Sequence, residues 1–281
     1  MTKKIVSFIT VFLLVATMLV SSGCVSEKNP GSDATNAPVQ TQVDSEIPDS
    51  SAESTEKDVS EEQNEDISVT DESAVINSDA PQTIPEIVAL FNEYANRIKP
   101  EATKVVKNYE RRIVDEEKLV VPKALESTAK NLMNTFMKDD TDPIVYSTRE
   151  EIMSEYIVPN QSYVSRLTAD CVEDATFIDN GNEYYILIKL KDETNPVTGK
   201  GVGSVCDIIE ANEVADKAPF IEKFTTNYND CSVEIAVDKA TGRVVHSQYN
   251  VSLVLGVTVN LFGTHTGNIG LTFIKDYSIT Y

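Results

Sequence analysis

Few residues of this chain stand at spacings that support catalysis or metal binding. Its two histidines, His246 and His265, belong to no His-Glu-x-x-His or similar zinc motif. His246 is out of phase with Val245 and Tyr249 in an alternating segment, which predicts the wetter face of a strand, and His265 lies in a predicted hairpin loop. No Gly-x-Ser-x-Gly motif is present. We therefore predict no catalytic residue, no metal and no cofactor, and we expect that the protein is not an enzyme.

Two loops have the composition of ligand sites but lack the spacing. Residues 199–203 (Gly-Lys-Gly-Val-Gly) follow a predicted strand, yet they lack the Gly-Lys-Ser/Thr ending of a phosphate-binding loop. Residues 139–143 hold three aspartates without the glycine turn and distal glutamate of a calcium loop. The neighbouring acids Glu173 and Asp174 point to opposite faces of a strand, which is poor geometry for shared acid–base chemistry. We predict solvated loops and no site.

Cys24 is the residue for which the sequence predicts a definite modification. Lys3 and Lys4 precede an apolar or hydroxyl run of 16 residues from Ile5 to Val20, too short to cross a bilayer, and small residues follow it. With Gly23-Cys24, this segment resembles the lipobox of bacterial lipoproteins, although that family favours leucine where Ser21 stands. The resemblance implies a signal peptide over 1–23, a diacylglycerol group on Cys24, an N-terminal acyl chain such as palmitate, and a location at the extracytoplasmic face of the cell membrane. The alternative is an ordinary secretory signal with an accidental cysteine.

Residues 24–82 are predicted to be a disordered tether. The stretch from 25 to 82 has fifteen acidic residues against two lysines and no aromatic residue. Such a segment cannot bury enough apolar surface to offset the entropy lost on ordering, and charge repulsion extends it. We interpret it as a spacer between the bilayer and a domain; a calcium-binding or partner-binding tail is the alternative.

Residues 83–281 have the length of one domain, with a helical first half and a strand-rich second half. Thr83 to Glu86 form a capping box that opens an amphipathic helix. Further helices are predicted from Pro100 with Val105, Val106 and Tyr109, from about Pro122, and from Ser147 with Glu150 to before Pro159. Residues 205–226 also have helical spacing.

Alternating apolar residues predict antiparallel strands in the second half. Residues 184–191 follow an Asn180-Gly181 hairpin turn, residues 233–237 lead through a turn at 239–242 to residues 245–255, and two further strands run to Tyr281. The fold class predicted is α+β, in which N-terminal amphipathic helices pack on a curved antiparallel sheet behind the tether.

This order of elements, with the Lys-Leu-Lys-Asp-Glu exit of the hairpin and the later Val-Asp-Lys-Ala-Thr-Gly segment, resembles uncharacterised lipoproteins of Firmicutes. In outline it is also similar to LolA-like lipoprotein carriers. That resemblance implies a half-open barrel that holds a lipid or acyl chain. The candidate ligand-lining residues are the inward positions of the strands, with plain core as the alternative: Ile186, Ile188, Val251, Leu253 and Phe273.

Three cysteines remain in the domain, and an oxidising exterior permits a disulfide. Cys206 with Cys231 and Cys171 with Cys231 are the pairings considered, and three free thiols are the third alternative. No Cys-x-x-Cys motif is present, which argues against a thioredoxin-like role.

The functional hypothesis is a membrane-anchored, non-enzymatic binding module. Its partners are the lipid bilayer through acylated Cys24 and a hydrophobic ligand or envelope protein. A structural or interaction lipoprotein is the first alternative, and a hydrolase of cell-wall or extracellular polymer is the second. A net charge of −21 without a basic patch argues against nucleic-acid binding.

Overall fold

The computed structural model describes residues 80–121, 126–127, 130–131, 137–212, 221–260 and 264–281. Within these residues the chain forms an eight-stranded antiparallel sheet accompanied by short helices. The predicted signal peptide, Cys24 and tether lie outside the described residues, as does most of the helix predicted from Pro122. No helix in the described part of the chain is long and apolar enough to span a bilayer.

The first helix, α1, comprises Ile84–Asn96 and begins as its sequence predicts. The Thr83 hydroxyl accepts a hydrogen bond from the amide of Glu86, and the Glu86 carboxylate accepts one from the amide of Thr83. This reciprocal arrangement satisfies amides that the first turn leaves without partners. The short helix α2 (Ile98–Glu101) follows, and α3 comprises Arg149–Glu155. The capping box of α3 pairs Thr148 with Glu151, one residue later than predicted.

Eight strands follow α2 and pair in the order β2-β1-β8-β7-β6-β4-β3, with β5 added beside β6. Their bounds are Lys104–Val120 (β1), Ile144–Tyr146 (β2), Val172–Asn180 (β3), Glu183–Leu190 (β4), Glu193–Thr194 (β5), Ile221–Asp238 (β6), Arg243–Asn260 (β7) and Thr264–Thr280 (β8). Both predicted turns are confirmed: Gly181 joins β3 to β4 with φ of 68°, and Gly242 joins β6 to β7 with φ of 62°. Glycine adopts these positive angles without the steric penalty that a Cβ atom brings.

The helix predicted from Pro100 is wrong beyond Glu101, because Val105, Val106 and Tyr109 lie in β1. A bulge between Lys107 and Tyr109 breaks the period of two against β8. Two of the inward positions, Lys107 and Glu110, are buried charged residues, so the strand lacks an alternating apolar pattern. The resulting spacing of valine and tyrosine imitates that of a helix.

The helix predicted over residues 205–226 is wrong for residues 205–210 and from Ile221 onward, whereas residues 211–212 are helical. Residues 205–210 are irregular, and Ile221 begins β6. Val205, Ile208 and Ile209 are buried nonetheless, because this loop packs its apolar side chains against the sheet. In the described residues α1 is the one helix longer than seven residues, so the structure shows a mainly antiparallel sheet with one substantial helix.

The core lies on one face of the sheet, here called the inner face, which carries Tyr249, Val251, Leu253 and Leu255 of β7. Phe91 and Ala95 of α1 pack into this core with no exposed surface. The loop after α3 is joined to it by Tyr156, whose hydroxyl lies 2.9 Å from Ser247 Oγ. Its ring meets that of Tyr277 edge-on at 5.0 Å between centroids. Such edge-to-face pairs add to the free energy gained from burial alone.

Candidate functional site

The five candidate ligand-lining residues all lie on the inner face and belong to the core. Their exposed fractions range from 0% to 4% (Ile186, Ile188, Val251, Leu253 and Phe273). The structure brings three of them together, because Val251 pairs directly with Phe273 and Leu253 lies two residues along β7. Ile186 and Ile188 are on β4, separated from the others by β6. In the described chain these side chains contact other core residues.

The opposite face, here called the polar face, carries His246, Gln248, Asn250, Ser252 and Val254 of β7. Although the protein has a strongly negative net charge, no acidic residue occurs in β7. Hydroxyl groups meet across β7 and β8, as Ser252 Oγ lies 2.7 Å from Thr272 Oγ1. On this face β7 therefore contributes mainly uncharged side chains, most of which donate and accept hydrogen bonds.

A groove of about 440 Å³ opens on the polar face. This groove, called the polar groove below, brings together side chains from four strands and the residue before β5. They include Lys118 of β1, Asp192, Thr194 of β5, Asn227 and Asn229 of β6, and Val254 of β7. Small-molecule sites commonly have this form, a concave surface with a few convergent polar groups.

Lys118 reaches the polar groove because β1 bulges over β8. Asp115 pairs with Gly270 and Val120 pairs with Asn268, so four residues of β1 stand opposite one residue of β8. A Cβ atom on Gly270 would lie 2.8 Å from Asp115 Cβ and 3.0 Å from Lys118 Cβ. Glycine is therefore required for this close approach. Lys118 Nζ lies 3.0 Å from Asp115 Oδ2, and its side chain remains 48% exposed.

The opposite side of the groove is held in place by backbone and side-chain hydrogen bonds around β5. Thr194 Oγ1 donates to Asn227 Oδ1 at 2.9 Å, which joins β5 to β6 on the polar face. Asn195 N donates to Thr226 O at 2.7 Å, and Glu193 Oε2 accepts from Val202 N at the same distance. Because these contacts fix β5 on both sides, Asp192 is placed at the edge of the groove while its side chain stays exposed.

A second polar cluster lies on the same face, toward the other end of β7. Asp276 Oδ2 lies 2.7 Å from His246 Nε2 and 3.3 Å from Gln248 Nε2, and Asn108 Nδ2 donates to Asp276 Oδ1 at 2.7 Å. Asn108 Nδ2 also donates to Ser278 Oγ. His246 is thus on the wetter face as predicted, but no local pattern indicates its partner, Asp276, which is 30 residues away in the chain. The cluster joins β1, β7 and β8.

The inner face contains a buried ionic network near β1 and β8. Lys275 pairs with Asp207, and both side chains are under 10% exposed. Burial favours the neutral forms, but their mutual attraction outweighs it and keeps the pKa of Asp207 low and that of Lys275 high. Burial likewise raises the pKa of Glu110, but Lys275 and Lys107 outweigh it and lower that pKa to about 2. These charges are satisfied by one another and hold loop 205–210 on the sheet.

Lys99 is buried without a carboxylate in hydrogen-bonding contact. Its Nζ donates to Val158 O at 3.0 Å and to Gln161 O at 2.9 Å. Burial lowers the pKa of Lys99 to about 8, and the more distant Asp207 offsets part of that effect. Lys99 therefore fixes the loop that follows α3 with charge–dipole hydrogen bonds.

In the two loops that have the composition of ligand sites, at 199–203 and 139–143, polar groups bind other residues of the protein. The amide of Val202, in the loop at 199–203, donates a hydrogen bond to the Glu193 carboxylate. The negative charge of Glu193 would therefore repel a phosphate or other anion at this loop. Asp139 accepts a hydrogen bond from the amide of Arg112, and Asp140 Oδ2 lies 3.5 Å from Lys107 Nζ. Among the described residues, no three metal-ligating side chains come together. His265 lies in β8 rather than in a loop, where it pairs with Val259 of β7. His246 of β7 pairs with Ser278 of β8, so the two histidines lie toward opposite ends of this strand pair.

All three cysteines of the described domain are free thiols. Cys206 and Cys231 are buried, and burial raises the pKa of both, to about 12 for Cys231. Since the thiolate is the reactive form, neither is suited to act as a nucleophile.

Comparison of the chain with models of known protein families, with curated proteins and with solved structures found no match.

Proposed function

We propose that this protein is a lipid-anchored, extracytoplasmic binding module that takes its ligand in the polar groove. The observation that carries the proposal is the convergence in this groove of side chains from four strands with the exposed Asp192. Strand scaffolds place such groups rigidly, which lowers the entropy lost on binding.

The polar groove is favoured over the inner face for a physical reason. Val251, Leu253 and Phe273 are at most 4% exposed, so an acyl chain would have to displace packed side chains to reach them. The proposal therefore keeps the binding module expected from the sequence but moves its ligand from the apolar side of the sheet to the polar side. The expected layer of several amphipathic helices on the inner face remains part of the proposal, with α1 and α3 as its described members.

The anchor is proposed from the resemblance of residues 1–24 to a lipobox signal. In this proposal the acyl chains on Cys24 anchor the protein in the bilayer. The acidic spacer holds the domain, and with it the polar groove, away from the anionic surface of that bilayer. Replacing Cys24 with serine tests this. We expect the Cys24→Ser chain to leave the membrane fraction and to lack the mass of the acyl groups; retention in the membrane with unchanged mass would refute the anchor.

Binding at the groove is tested by photo-cross-linking in the native host. A benzophenone amino acid at Asn227 reports on the groove, and the same amino acid at the exposed Glu150 of α3 is the matched control. We expect an adduct of defined mass at position 227 and none at 150. Equal labelling at both positions, or none at 227, would contradict the proposal. A polymeric adduct cleaved over time would instead support the hydrolase alternative.

A further inference from the structure

We infer that Lys275 and Asp207 condense to form a covalent amide bond, an isopeptide cross-link, inside the domain. The reaction joins Lys275 Nζ to Asp207 Cγ and releases one water molecule. The cross-link lies on the inner face and is independent of any ligand in the polar groove. Three features of the pair support it: the contact between the two side chains, their burial, and a backbone amide that holds the carboxylate.

The two reacting groups are in contact and shielded from water. Lys275 Nζ donates a hydrogen bond to Asp207 Oδ2, and the two side chains are 6% and 8% exposed. Ile208, next to Asp207 in the loop, is buried, and so is Tyr277, which follows Lys275 on the same face of β8. Such a fixed contact gives the amine an effective concentration beside the carboxyl carbon that no solution reaches. The geometry therefore favours a reaction that two free molecules would not undergo in water.

Burial provides the neutral forms that the reaction requires. An amine attacks as the free base, and a carboxyl group accepts the attack as the neutral acid. Burial disfavours both charges, while their mutual attraction keeps the pKa of Asp207 low and that of Lys275 high. Transfer of one proton from Nζ to Oδ2 along the existing hydrogen bond converts the ion pair into the neutral pair. A small neutral fraction is sufficient, because each molecule has to react only once.

The backbone of Val158 is placed to stabilise the intermediate. Val158 N donates to Asp207 Oδ1 at 2.9 Å, the oxygen opposite the one that contacts Lys275. When Nζ attacks Cγ, negative charge develops on Oδ1, and this amide stabilises it as in an oxyanion hole. Val158 has φ of 52°, which β-branched residues rarely adopt, so the surrounding loop holds this amide in place. Glu110, directly opposite Lys275 on β1, stabilises the positive charge on Nζ in the same intermediate.

All atoms of the reaction come from the two side chains. The Nζ–Cγ bond forms and the Cγ–Oδ2 bond breaks. Two of the three ammonium protons pass in turn from Nζ to Oδ2, which leaves as water, so no oxidant, reductant or cofactor is consumed. Oδ1 becomes the oxygen of the new amide and keeps its hydrogen bond from Val158 N. The product links Asp207 and Lys275, which are 68 residues apart in the chain.

Two other lysine–carboxylate pairs lack this combination. Lys107 Nζ contacts the buried carboxylate of Glu110, but Arg112 Nε donates to the same carboxylate at 2.9 Å. The positive charges around Glu110 outweigh the effect of burial and lower its pKa to about 2, so it stays ionised and does not react. Lys239 and Asp179 are 2.8 Å apart, but their side chains are 29% and 51% exposed, so water stabilises both charges. We expect neither pair to condense.

Mass spectrometry of the full-length Cys24→Ser chain, reduced and denatured, tests the cross-link. We expect the intact chain to be lighter than its polypeptide sequence by one water molecule. Trypsin should fail to cleave after Lys275, so that residues 201–217 and 244–281 appear as one branched peptide. Fragmentation of this peptide should locate the linkage at Asp207 and Lys275. Cleavage after Lys107 and Lys239 should be normal.

Lys275→Arg is the matched control, because a guanidinium group keeps the positive charge beside Asp207 but is never deprotonated to a nucleophile in proteins. This variant should have the full mass of its polypeptide and be cleaved at position 275. The inference is overturned if the parent chain has its full mass and is cleaved after Lys275, or if the lost water maps to other residues. It is also overturned if Lys275→Arg loses water from the same peptides. The parent chain gives the decisive mass, so a folding defect in the variant does not affect the test.

Discussion

His246 Nε2 and Asp276 Oδ2 are 2.7 Å apart on adjacent strands of the polar face. Asp276 also accepts from Gln248 and Asn108, so one carboxylate joins side chains of three strands. The cluster and the polar groove lie on the same face, at different positions along β7. The cluster therefore contributes to the rigidity of the surface that carries the groove.

Removing this shared acceptor should destabilise the domain. In Asp276→Ala, His246 loses its acceptor, and Gln248 and Asn108 each lose one of two acceptors, at a site where the carboxylate is only 11% exposed. We expect the free energy of unfolding to fall by about 2 kcal/mol, measured by urea denaturation. Glu173→Ala, at an exposed position of β3, is the control and should change it by less than about 0.5 kcal/mol. Equal effects of the two substitutions would show that the cluster contributes nothing to stability.

The buried pair of Lys275 and Asp207 should behave as a coupled unit. Lys275→Met leaves the Asp207 carboxylate buried without its cation, and we expect a loss of about 3–5 kcal/mol. Adding Asp207→Asn removes the unpaired charge, while an amide oxygen can still accept from Val158 N. The double variant should therefore be more stable than Lys275→Met alone. Additive losses in a double-mutant cycle would contradict this coupling.

Lys99 should make stability increase with pH in the alkaline range. Its pKa is about 8 in the folded protein and near 10.5 when unfolded, so between these values the unfolded chain binds the extra proton. Stability therefore rises with pH from about 8 toward 10.5, and the cost of the buried charge is present in full below pH 8.

This dependence is measured as the difference in unfolding free energy between the parent chain and Lys99→Met from pH 7 to 9.5. As the pH rises, the unfolding free energy of the parent chain should increase relative to that of Lys99→Met. The two hydrogen bonds that the variant loses add a contribution to this difference, but the direction of its change with pH stays the same. Lys104→Met, at an exposed position, is the control and should show a constant difference. A constant difference for Lys99→Met as well would mean that its pKa is not lowered.

Gly270→Ala should displace the β1 bulge from the groove. The added Cβ would lie within 3.1 Å of Asp115 and Lys118 atoms, so we expect a loss of about 1–3 kcal/mol and faster hydrogen exchange at residues 115–119. Gly181→Ala is the matched control because it introduces strain at φ of 68° with no atom within 4 Å. It should destabilise the hairpin and leave exchange at 115–119 unchanged. Unchanged exchange in Gly270→Ala would show that the bulge does not depend on glycine.

The antiparallel strands and their turns could be predicted because their signals are local. The alternation of Tyr184 to Leu190 and the glycines at 181 and 242 act within a few residues, where backbone sterics and the period of two decide the conformation. The same holds for α1, whose capping box lies within four residues. The strand β1 was missed because its buried face includes Lys107 and Glu110, whose partners come from distant parts of the chain.

The sequence by itself determined that β7 alternates, that His246 faces away from the core, and that the chain has no recognised catalytic motif. Only the tertiary structure decided which face has a groove. Lys118, Asp192 and Asn227 are far apart in sequence, and they meet because β1 folds over Gly270 while β5 pairs with β6. Apolar periodicity specifies the side of a strand that is buried, but it carries no information about which distant strands lie side by side, and that pairing creates the groove.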